Sequence, residues 1–123
     1  MSAPSLGKFI VQRPWLHRWV KPIANWYMDA AGYRKLGLRY DDLIPEESDV
    51  VQKALKRLPP KEAYDRIFRI RRAFQCSVSH TLLSPSEHTK PEDDIPYLSP
   101  IIEAIEKENA ERQDLDNLTV KKR

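Results

Sequence analysis

The sequence predicts an all-α protein, and three observations support this fold class. Its 123 residues include ten prolines but only three glycines, which favours helices separated by proline-marked loops over a sheet protein with many tight turns. Apolar residues recur at helical spacing in several segments. No segment shows the alternation that a half-buried strand requires. We therefore expect about four helices in one small, non-globular domain, with an extended N-terminal arm (1–14), a helical region (15–112) and a polar C-terminal tail (113–123).

The charged residues are distributed unevenly along the chain. Residues 1–80 contain 15 basic and 8 acidic residues, whereas residues 81–123 contain 6 and 10. The first acidic residue is Asp29. A basic, acid-poor N-terminus is typical of a mitochondrial targeting segment, of an arm that lies on an anionic lipid or protein surface, or of a solvated tail. The composition is compatible with all three interpretations.

Residues 15–31 are rich in large aromatic residues, several of which recur at helical spacing. They include Trp15, Trp19, Trp26 and Tyr27. Pro22 interrupts the helical row, and we interpret it as the first residue of a helix that ends near Ala31, before Gly32. A small core cannot bury this many large rings interleaved with basic residues. We therefore interpret the four aromatic residues as a contact with a protein or with the membrane interface. Packing in the chain's own core is the alternative.

Residues 33–47 have the composition of a loop, and they supply five candidate contacts with a partner. These are Leu36, Gly37, Leu38, Asp41 and Asp42. We expect Gly37 to lie where the backbone φ is positive or where a side chain would clash. Adjacent aspartates in a loop usually cap a turn or form salt bridges. We therefore expect Asp41 and Asp42 to cap the following turn or to pair with basic residues of a partner.

Two helices are predicted on either side of Pro59-Pro60, over residues 49–58 and 61–79. The residue before a proline is disfavoured in the helical conformation, so the first helix ends there, and Pro60 suits the first turn of the second. When residues are plotted at 100° intervals, the apolar residues of the second helix form one broad arc. The arc consists of Ala63, Tyr64, Ile67, Phe68, Ile70, Phe74 and Val78.

Four arginines of this second helix are divided between two faces. Arg66, Arg69 and Arg72 lie opposite the apolar arc and are predicted to remain hydrated, whereas Arg71 lies within the arc. A cation within an apolar surface must pair with an acid, extend its charge to water, or meet a partner. We interpret Arg66, Arg69 and Arg71 as candidate contacts with a carboxylate or with a phosphate of lipid or nucleic acid. The alternative is a solvated face that pairs with Asp65 or with the acidic C-terminal segment.

The C-terminal third contains a predicted turn and one more helix. Residues 84–87 (SPSE) have the pattern of a capping box with proline at the first helical position, and Pro91 leaves room for only a brief turn. Ser99 is the predicted N-cap of the last helix. This helix has a short apolar stripe at its start, and we expect it to be solvated beyond Ile105.

The sequence contains no arrangement typical of an enzyme or a metalloprotein. Cys76 and His80 could share a helix face, but a structural zinc site needs four ligands and nothing completes this pair. The acidic pairs of the loop have neither the spacing of a calcium site nor an activated nucleophile beside them. No apolar stretch reaches the roughly 20 residues of a membrane-spanning helix. We therefore expect a non-catalytic accessory subunit that uses neither a cofactor nor a metal.

Three segments resemble the hallmark motifs of one protein family, in the family's order. They are residues 25–42 (NWYMDAAGYRKLGLRYDD), 54–59 (ALKRLP) and 64–73 (YDRIFRIRRA). The family they resemble is the small matrix-side subunit of mitochondrial ubiquinol–cytochrome c reductase, and the resemblance covers about residues 18–112. The longer N-terminus, with Pro14 and Pro22, is similar to that of the fungal branch of the family.

This resemblance implies a helical, peripheral subunit on the matrix side of the mitochondrial inner membrane. It implies binding to cytochrome b and to the core subunits, and it implies no haem, iron–sulfur cluster or metal in the subunit itself. The implied role is assembly and stabilisation of the complex that carries electrons from ubiquinol to cytochrome c. The basic, tryptophan-rich N-terminal segment would face the partner in the membrane, and the arginine-rich helix would contact protein or the phosphates of cardiolipin.

Two other functions are compatible with the same residues. The net charge of +3 and the arginine-rich helix would suit a nucleic-acid-binding module, whose affinity would fall steeply with salt; the resemblance, however, leads us to expect no nucleic-acid partner. The second alternative function is a proton relay toward the quinone-reduction site of the complex, through Asp41, Asp42, His17 or His80.

Overall fold

The computed structural model describes Gly7, Ile10 and residues 12–118. Four α-helices lie in this part of the chain: α1 (Pro14–Ala31), α2 (Asp49–Arg57), α3 (Pro60–Val78) and α4 (Ser99–Asp116). No strand occurs among the described residues, so the predicted all-α fold class is confirmed. Most of the predicted arm and residues 119–123 of the predicted tail lie outside the described residues. Gly7 and Ile10 have helical backbone.

α1 buries none of its residues. Pro14 occupies its first turn, where the N–H that proline lacks has no partner to lose, and Gly32 ends it at φ +80°, a left-handed conformation that glycine adopts without strain. The prediction that Pro22 begins a helix is wrong, because Pro22 lies inside α1. The fixed φ of proline is compatible with a helix, so α1 continues and loses only the hydrogen bond that residue 22 cannot donate to the carbonyl of Arg18.

The larger apolar core lies where α2 packs against the start of α4. Its buried members are Val51, Ala54, Leu58, Leu98 and Ile105. Outside this core the Arg57 guanidinium donates two hydrogen bonds to the Glu108 carboxylate, at 2.7 and 2.8 Å, an exposed pair of the kind that adds little stability. Beyond Ile105 no residue of α4 is buried, which confirms the predicted solvated end of this helix.

Three 3-10 turns shape the connections between the helices. The first two, Tyr33–Leu36 and Tyr40–Leu43, lie between α1 and α2. They help to form a second, smaller core of Tyr33, Leu38 and Ala73, against which Met28 and Leu36 pack. The third turn, Pro85–Glu87, forms at the predicted capping motif. There the Ser84 hydroxyl donates to the Glu87 carboxylate, at 2.9 Å, so the two side chains bond to each other and not to the backbone.

α3 has the predicted length, but the face it turns toward the rest of the chain is the charged one. Arg66 and Arg69 are 3% and 9% exposed, whereas Tyr64 and Phe74 of the apolar arc are 72% and 70% exposed. The prediction that Arg66 and Arg69 remain hydrated is therefore wrong. The reason lies in residues 41–46, whose carboxylates pair with both guanidinium groups and so compensate the cost of burying their charge.

Candidate functional site

An arginine–carboxylate cluster, buried at Asp41, Asp42, Arg66 and Arg69, joins the segment after α1, the helix α3 and the start of α4. It consists of Asp41, Asp42, Glu46, Arg66, Arg69 and Tyr97. The acids come from the second 3-10 turn and the residues after it, the arginines from successive turns of α3, and the tyrosine from the segment before α4. Positions 66 and 69 are three apart, so both guanidinium groups lie on one side of the helix.

Asp42 is the central acceptor of the arginine–carboxylate cluster. Arg69 donates to both of its carboxylate oxygens, from Nε at 2.7 Å and from an Nη atom at 2.9 Å. The Tyr97 hydroxyl and the backbone N–H of Arg39 donate to it as well. Burial alone would raise the pKa of the Asp42 carboxyl, but the hydrogen bonds from Arg69 and Tyr97 outweigh burial and hold that pKa below its usual range. Asp42 is therefore an ionised carboxylate inside the chain.

Arg66 connects three segments through one guanidinium group. Its Nε and one Nη atom donate to the Glu46 carboxylate, at 3.2 and 2.9 Å. Its other Nη atom donates to the backbone carbonyl of Asp41 at 3.0 Å and to the Tyr97 hydroxyl at 2.8 Å. Because the guanidinium has both a carboxylate partner and hydrogen-bond acceptors, its burial costs far less than burial of an unpaired cation would.

Asp41 caps α4 across 57 positions of the chain. It is 1% exposed, and one of its carboxylate oxygens accepts from the backbone N–H groups of Leu98 and Ser99, at 2.7 and 2.9 Å. Its other oxygen accepts from the Ser99 hydroxyl at 2.6 Å. The prediction that Ser99 is the N-cap is wrong: Leu98 occupies that position, and the capping oxygens belong to Asp41. The negative charge also suits the positive end of the helix dipole.

A second buried ion pair joins the first 3-10 turn to the segment before α4. Arg34 donates to Asp94 at 3.1 Å and to Asp29 at 2.8 Å, and the Tyr33 hydroxyl donates to Asp94 at 2.6 Å. Burial and the hydrogen bond to Asp94 raise the pKa of Tyr33 to about 12. Burial would also raise the pKa of Asp94, but hydrogen bonds from Tyr33, the Tyr40 backbone N–H and Arg34 hold it below its usual range.

Both expectations for Gly37 are confirmed. Its φ is +70°, and a Cβ atom added to it would lie 2.2 Å from an Nη atom of Arg72 and 2.9 Å from a methyl carbon of Leu83. Arg72 extends over the ring of Phe68, with its guanidinium carbon 5.4 Å from the ring centre. Arg72 was predicted to be hydrated, but it is half-buried, and its Nε has no hydrogen-bond partner among the described residues.

Seven of the twelve predicted contact residues lie in the interior of the chain. They are Leu36, Gly37, Leu38, Asp41, Asp42, Arg66 and Arg69. Asp41 and Asp42 were expected to cap the following turn or to pair with a partner. Within the described residues, Asp41 instead caps the distant α4 and Asp42 pairs with Arg69 of the same chain. Among the described residues neither His17 nor His80 hydrogen-bonds to these aspartates, so the residues of the alternative proton relay are not connected to one another.

Four residues of these two groups were not among the predicted contact residues. They are Arg34, Glu46, Asp94 and Tyr97. The spacing of Arg66 and Arg69 was the available signal, but two basic residues three apart are also typical of a hydrated face. The expected alternative partner, Asp65, is not the one used, since Arg66 and Arg69 pair with Glu46 and Asp42. Asp94 lies 60 positions from Arg34, and Tyr97 lies 55 positions from Asp42 and 31 from Arg66, so no local pattern marks them.

The other five predicted contact residues lie on two exposed surfaces. The α1 apolar face consists of Trp15, Trp19, Ile23, Trp26 and Tyr27, which are 63% to 73% exposed. The α3 outer face consists of Tyr64, Ile67, Phe68, Arg71, Phe74 and Val78, all exposed. The members of each set lie on one side of their helix at 100° per residue. Apolar surfaces of this extent are typical of contacts with protein or membrane.

Neither a membrane span nor a metal site is found in the part of the chain that the structure describes. No helix in this part is long and apolar enough to cross a membrane. No group of three or more histidine, cysteine, aspartate or glutamate side chains within residues 12–118 is placed to hold a metal ion. The buried carboxylates are already occupied by arginine, tyrosine and backbone donors. The chain also exposes two sets of aromatic and aliphatic side chains, the α1 apolar face and the α3 outer face.

The sequence matches one described protein family over most of its length. The family described as "Ubiquinol-cytochrome C reductase complex 14kD subunit" matches residues 14–113. Relatives from Neurospora crassa, Saccharomyces cerevisiae and Pongo abelii are 57%, 44% and 41% identical over 122, 121 and 97 residues. The alignments cover 99%, 98% and 79% of this chain and 99%, 95% and 86% of those relatives. All three are called cytochrome b-c1 complex subunit 7, and the S. cerevisiae name adds "mitochondrial".

The matched segment includes the α1 apolar face, the α3 outer face and the whole arginine–carboxylate cluster. The two fungal relatives align with nearly the full chain, N-terminus included, in agreement with the predicted likeness to the fungal branch. The chain therefore belongs to the family of the 14 kDa subunit of the ubiquinol–cytochrome c reductase complex, and it is a non-catalytic accessory subunit of the mitochondrial cytochrome b-c1 complex.

Proposed function

We propose that the chain supports the assembly and stability of the cytochrome b-c1 complex by binding cytochrome b on the matrix side of the inner membrane, as a peripheral subunit that also contacts the core subunits. One observation carries this proposal: the chain buries Arg66 and Arg69 of α3, whereas the large aromatic residues of α1 and α3 are exposed. Arg66 and Arg69 are 3% and 9% exposed, whereas Trp19 is 73% exposed. A chain folded in this way presents to its surroundings the kind of surface that other proteins cover.

The α3 outer face is the surface best suited to cytochrome b. The arginine–carboxylate cluster fixes the inner side of α3 at Arg66 and Arg69, so the outer side is held in a defined orientation. Burial of apolar surface contributes about 25 cal/mol per Å², and the exposed rings of Tyr64, Phe68 and Phe74 provide much of that surface. A partner that covers them stabilises the folded chain by mass action.

The α1 apolar face is the surface best suited to the membrane interface, where cardiolipin is the anionic lipid we propose. Tryptophan and tyrosine rings are favoured at that depth. Arg18 and Lys21 lie on the other side of α1 at 100° per residue, as in helices that rest on anionic lipid. Binding of the isolated chain to phosphatidylcholine vesicles with and without cardiolipin, followed by tryptophan fluorescence, tests this part. Equal binding to both vesicles would exclude a preference for cardiolipin.

The assembly role is tested by placing one charge on the α3 outer face. Ile67→Glu is expected to reduce the haem b content and the ubiquinol–cytochrome c reductase activity of membranes whose only copy of this subunit is the variant. Ala110→Glu is the matched control, because it adds the same charge to an exposed position of α4. If both variants assemble as well as the wild type, the α3 outer face is not the docking surface.

The partner and the side of the membrane are tested directly. A photoreactive amino acid at Phe74 is expected to cross-link to cytochrome b, and mass spectrometry identifies the product. Protease added to mitoplasts should leave the chain intact, whereas protease added to inverted inner-membrane vesicles should digest it. Cross-linking only to another subunit, or digestion in mitoplasts, would contradict the proposed placement.

A further inference from the structure

The α3 outer face is apolar except for the exposed amide of Gln75 and a single charge, Arg71, near its middle. At 100° per residue its members span one arc, in which Val78 and Tyr64 lie on either side of Arg71. Positions 64 to 78 extend along about 21 Å of helix at 1.5 Å per residue. Arg71 is exposed, and it forms no hydrogen bond or ion pair with any residue in the described part of the chain.

The other three arginines of α3 all have partners in the chain. Arg66 and Arg69 bond to Glu46 and Asp42, and Arg72 lies over Phe68 and reaches the carbonyl of Gly37. Arg71 therefore contributes nothing to the interior. When a partner covers the surrounding rings, the Arg71 guanidinium is desolvated, and an unpaired guanidinium there would oppose docking.

We propose that the protein surface that docks on the α3 outer face presents a carboxylate to Arg71, so that one bidentate ion pair forms within an apolar contact. This inference rests on the proposed function, since it names the chemistry of the partner at the same surface. The guanidinium fork matches a carboxylate with two parallel hydrogen bonds. Within the contact, this pair fixes the register of the partner along α3, because a shift of one turn would leave both charges buried and unpaired.

The observations favour a protein carboxylate over a lipid phosphate. Surfaces that recognise anionic lipid headgroups gather about four to eight basic residues, whereas the α3 outer face contains one. Apart from Gln75, its remaining members are rings and branched aliphatic side chains, the residues that fill protein interfaces. An aspartate or glutamate within an otherwise apolar partner surface is the complement of this pattern.

The first test is competition for assembly. Cells express the wild-type chain and an Arg71 variant with distinguishable tags, and the ratio of the two in the purified complex is measured. Arg71→Ala is expected to incorporate roughly ten- to a hundredfold less well, in line with the loss of a charge-assisted hydrogen-bonded pair. The incorporation of Arg71→Lys should lie between those of the wild type and Arg71→Ala, because an ammonium cannot form two parallel hydrogen bonds. Arg112→Ala, an exposed arginine on α4, is the matched control and should compete equally.

The second test identifies the carboxylate. In the assembled complex that contains Arg71→Lys, a zero-length carbodiimide should couple the new ammonium group to the partner carboxylate as an amide. A cross-link to another subunit that is absent from the wild-type and Arg71→Ala complexes would support the proposal and locate the acidic residue. No new cross-link, together with loss of a tightly bound phospholipid from Arg71→Ala complexes, would overturn it in favour of a lipid phosphate.

The two proposals fail in different ways. If Ile67→Glu blocks assembly while Arg71→Ala competes as well as the wild type, the α3 outer face docks a partner without this ion pair, and only the inference about Arg71 is overturned. If Ile67→Glu and Arg71→Ala both assemble normally, the docking surface itself is wrong. Circular dichroism of the isolated variants should match the wild type, because neither side chain is buried within the chain.

Discussion

Arg69 donates two parallel hydrogen bonds to Asp42, at 2.7 and 2.9 Å, and both side chains are buried. The pair joins α3 to the second 3-10 turn. Because both groups are buried, water cannot easily take the place of either partner when the other is removed. The pair therefore determines which side of α3 faces inward, and with it which side is left for other subunits.

Removal of one member of this pair should destabilise the chain strongly. Arg69→Ala leaves the Asp42 carboxylate buried without its main cation, and loss of one partner of such a pair costs about 3–5 kcal/mol. Urea unfolding of the full-length chain, followed by circular dichroism, measures the loss. Asp42→Ala combined with Arg69→Ala should cost less than the sum of the single changes. Strict additivity would show that the two residues stabilise the chain independently.

The stability of the chain should fall in acid. Asp42 and Asp94 have pKa values below their usual range in the folded chain, so as the pH falls the unfolded chain binds protons first. Their contribution is complete above the unfolded carboxyl pKa of about 4 and is lost as the pH falls through the folded values. Urea unfolding from neutral pH down to about pH 3 tests this. Asp42→Asn should flatten the pH dependence, and an unchanged slope would assign it to other carboxylates.

Alkaline titration should show that Tyr33 ionises late, as should Tyr97, because burial and the hydrogen bond to Asp42 also raise the pKa of Tyr97. Burial and the bond to Asp94 raise the pKa of Tyr33 to about 12, compared with about 10 for a free tyrosine. The stability that this shift provides is present below about pH 10 and is lost as the pH rises through the folded value. Ultraviolet absorbance of phenolate should show a late step that is smaller by one tyrosine in Tyr33→Phe. An unchanged step in the variant would show that Tyr33 is not one of the late tyrosines.

The start of α4 should open when Asp41 is changed. Asp41→Ala removes the acceptor of the Leu98 and Ser99 backbone N–H groups, and loss of a helix cap costs about 0.5–2 kcal/mol. Hydrogen exchange at residues 98 and 99 should become faster. Ser84→Ala, in an exposed turn, is the control and should leave exchange in α4 unchanged. Protection that survives in Asp41→Ala would mean that packing of Leu98, and not the cap, holds this end.

Gly37 and Gly32 provide a matched pair of substitutions. Both have positive φ, but a Cβ atom at Gly32 would have nothing within 4 Å, whereas one at Gly37 would meet Arg72 at 2.2 Å. Gly32→Ala should cost about 1–2 kcal/mol from the backbone alone, and Gly37→Ala should cost more. Adding Arg72→Ala to Gly37→Ala should recover part of the difference, because the contact with the Leu83 methyl carbon at 2.9 Å remains. Equal losses for both glycines would show that the Arg72 side chain moves aside freely.

The helices were predictable from the sequence because local chemistry determines their ends. The prolines at positions 59 and 60 separate α2 from α3, and Gly32 ends α1. The orientation of α3 was not predictable in the same way, because an apolar arc normally faces a core. Here the acids that pair with Arg66 and Arg69 lie 20 and 27 positions away. The caps and ion pairs at residues 94–99 connect positions still further apart, so they follow from tertiary packing and have no local signal.

The cap that Asp41 provides for α4 has a consequence for how the chain is completed during synthesis. All three donors to the Asp41 carboxylate belong to residues 98 and 99. Asp94, which pairs with Arg34, lies in the same late part of the sequence. A nascent or truncated chain that stops before residue 94 already contains Asp41 and Arg34 but lacks these partners, and buried polar groups without partners are costly. The buried groups therefore gain all their partners only after residues 94–99 have been synthesised. Shorter chains should be more sensitive to proteases than the full chain.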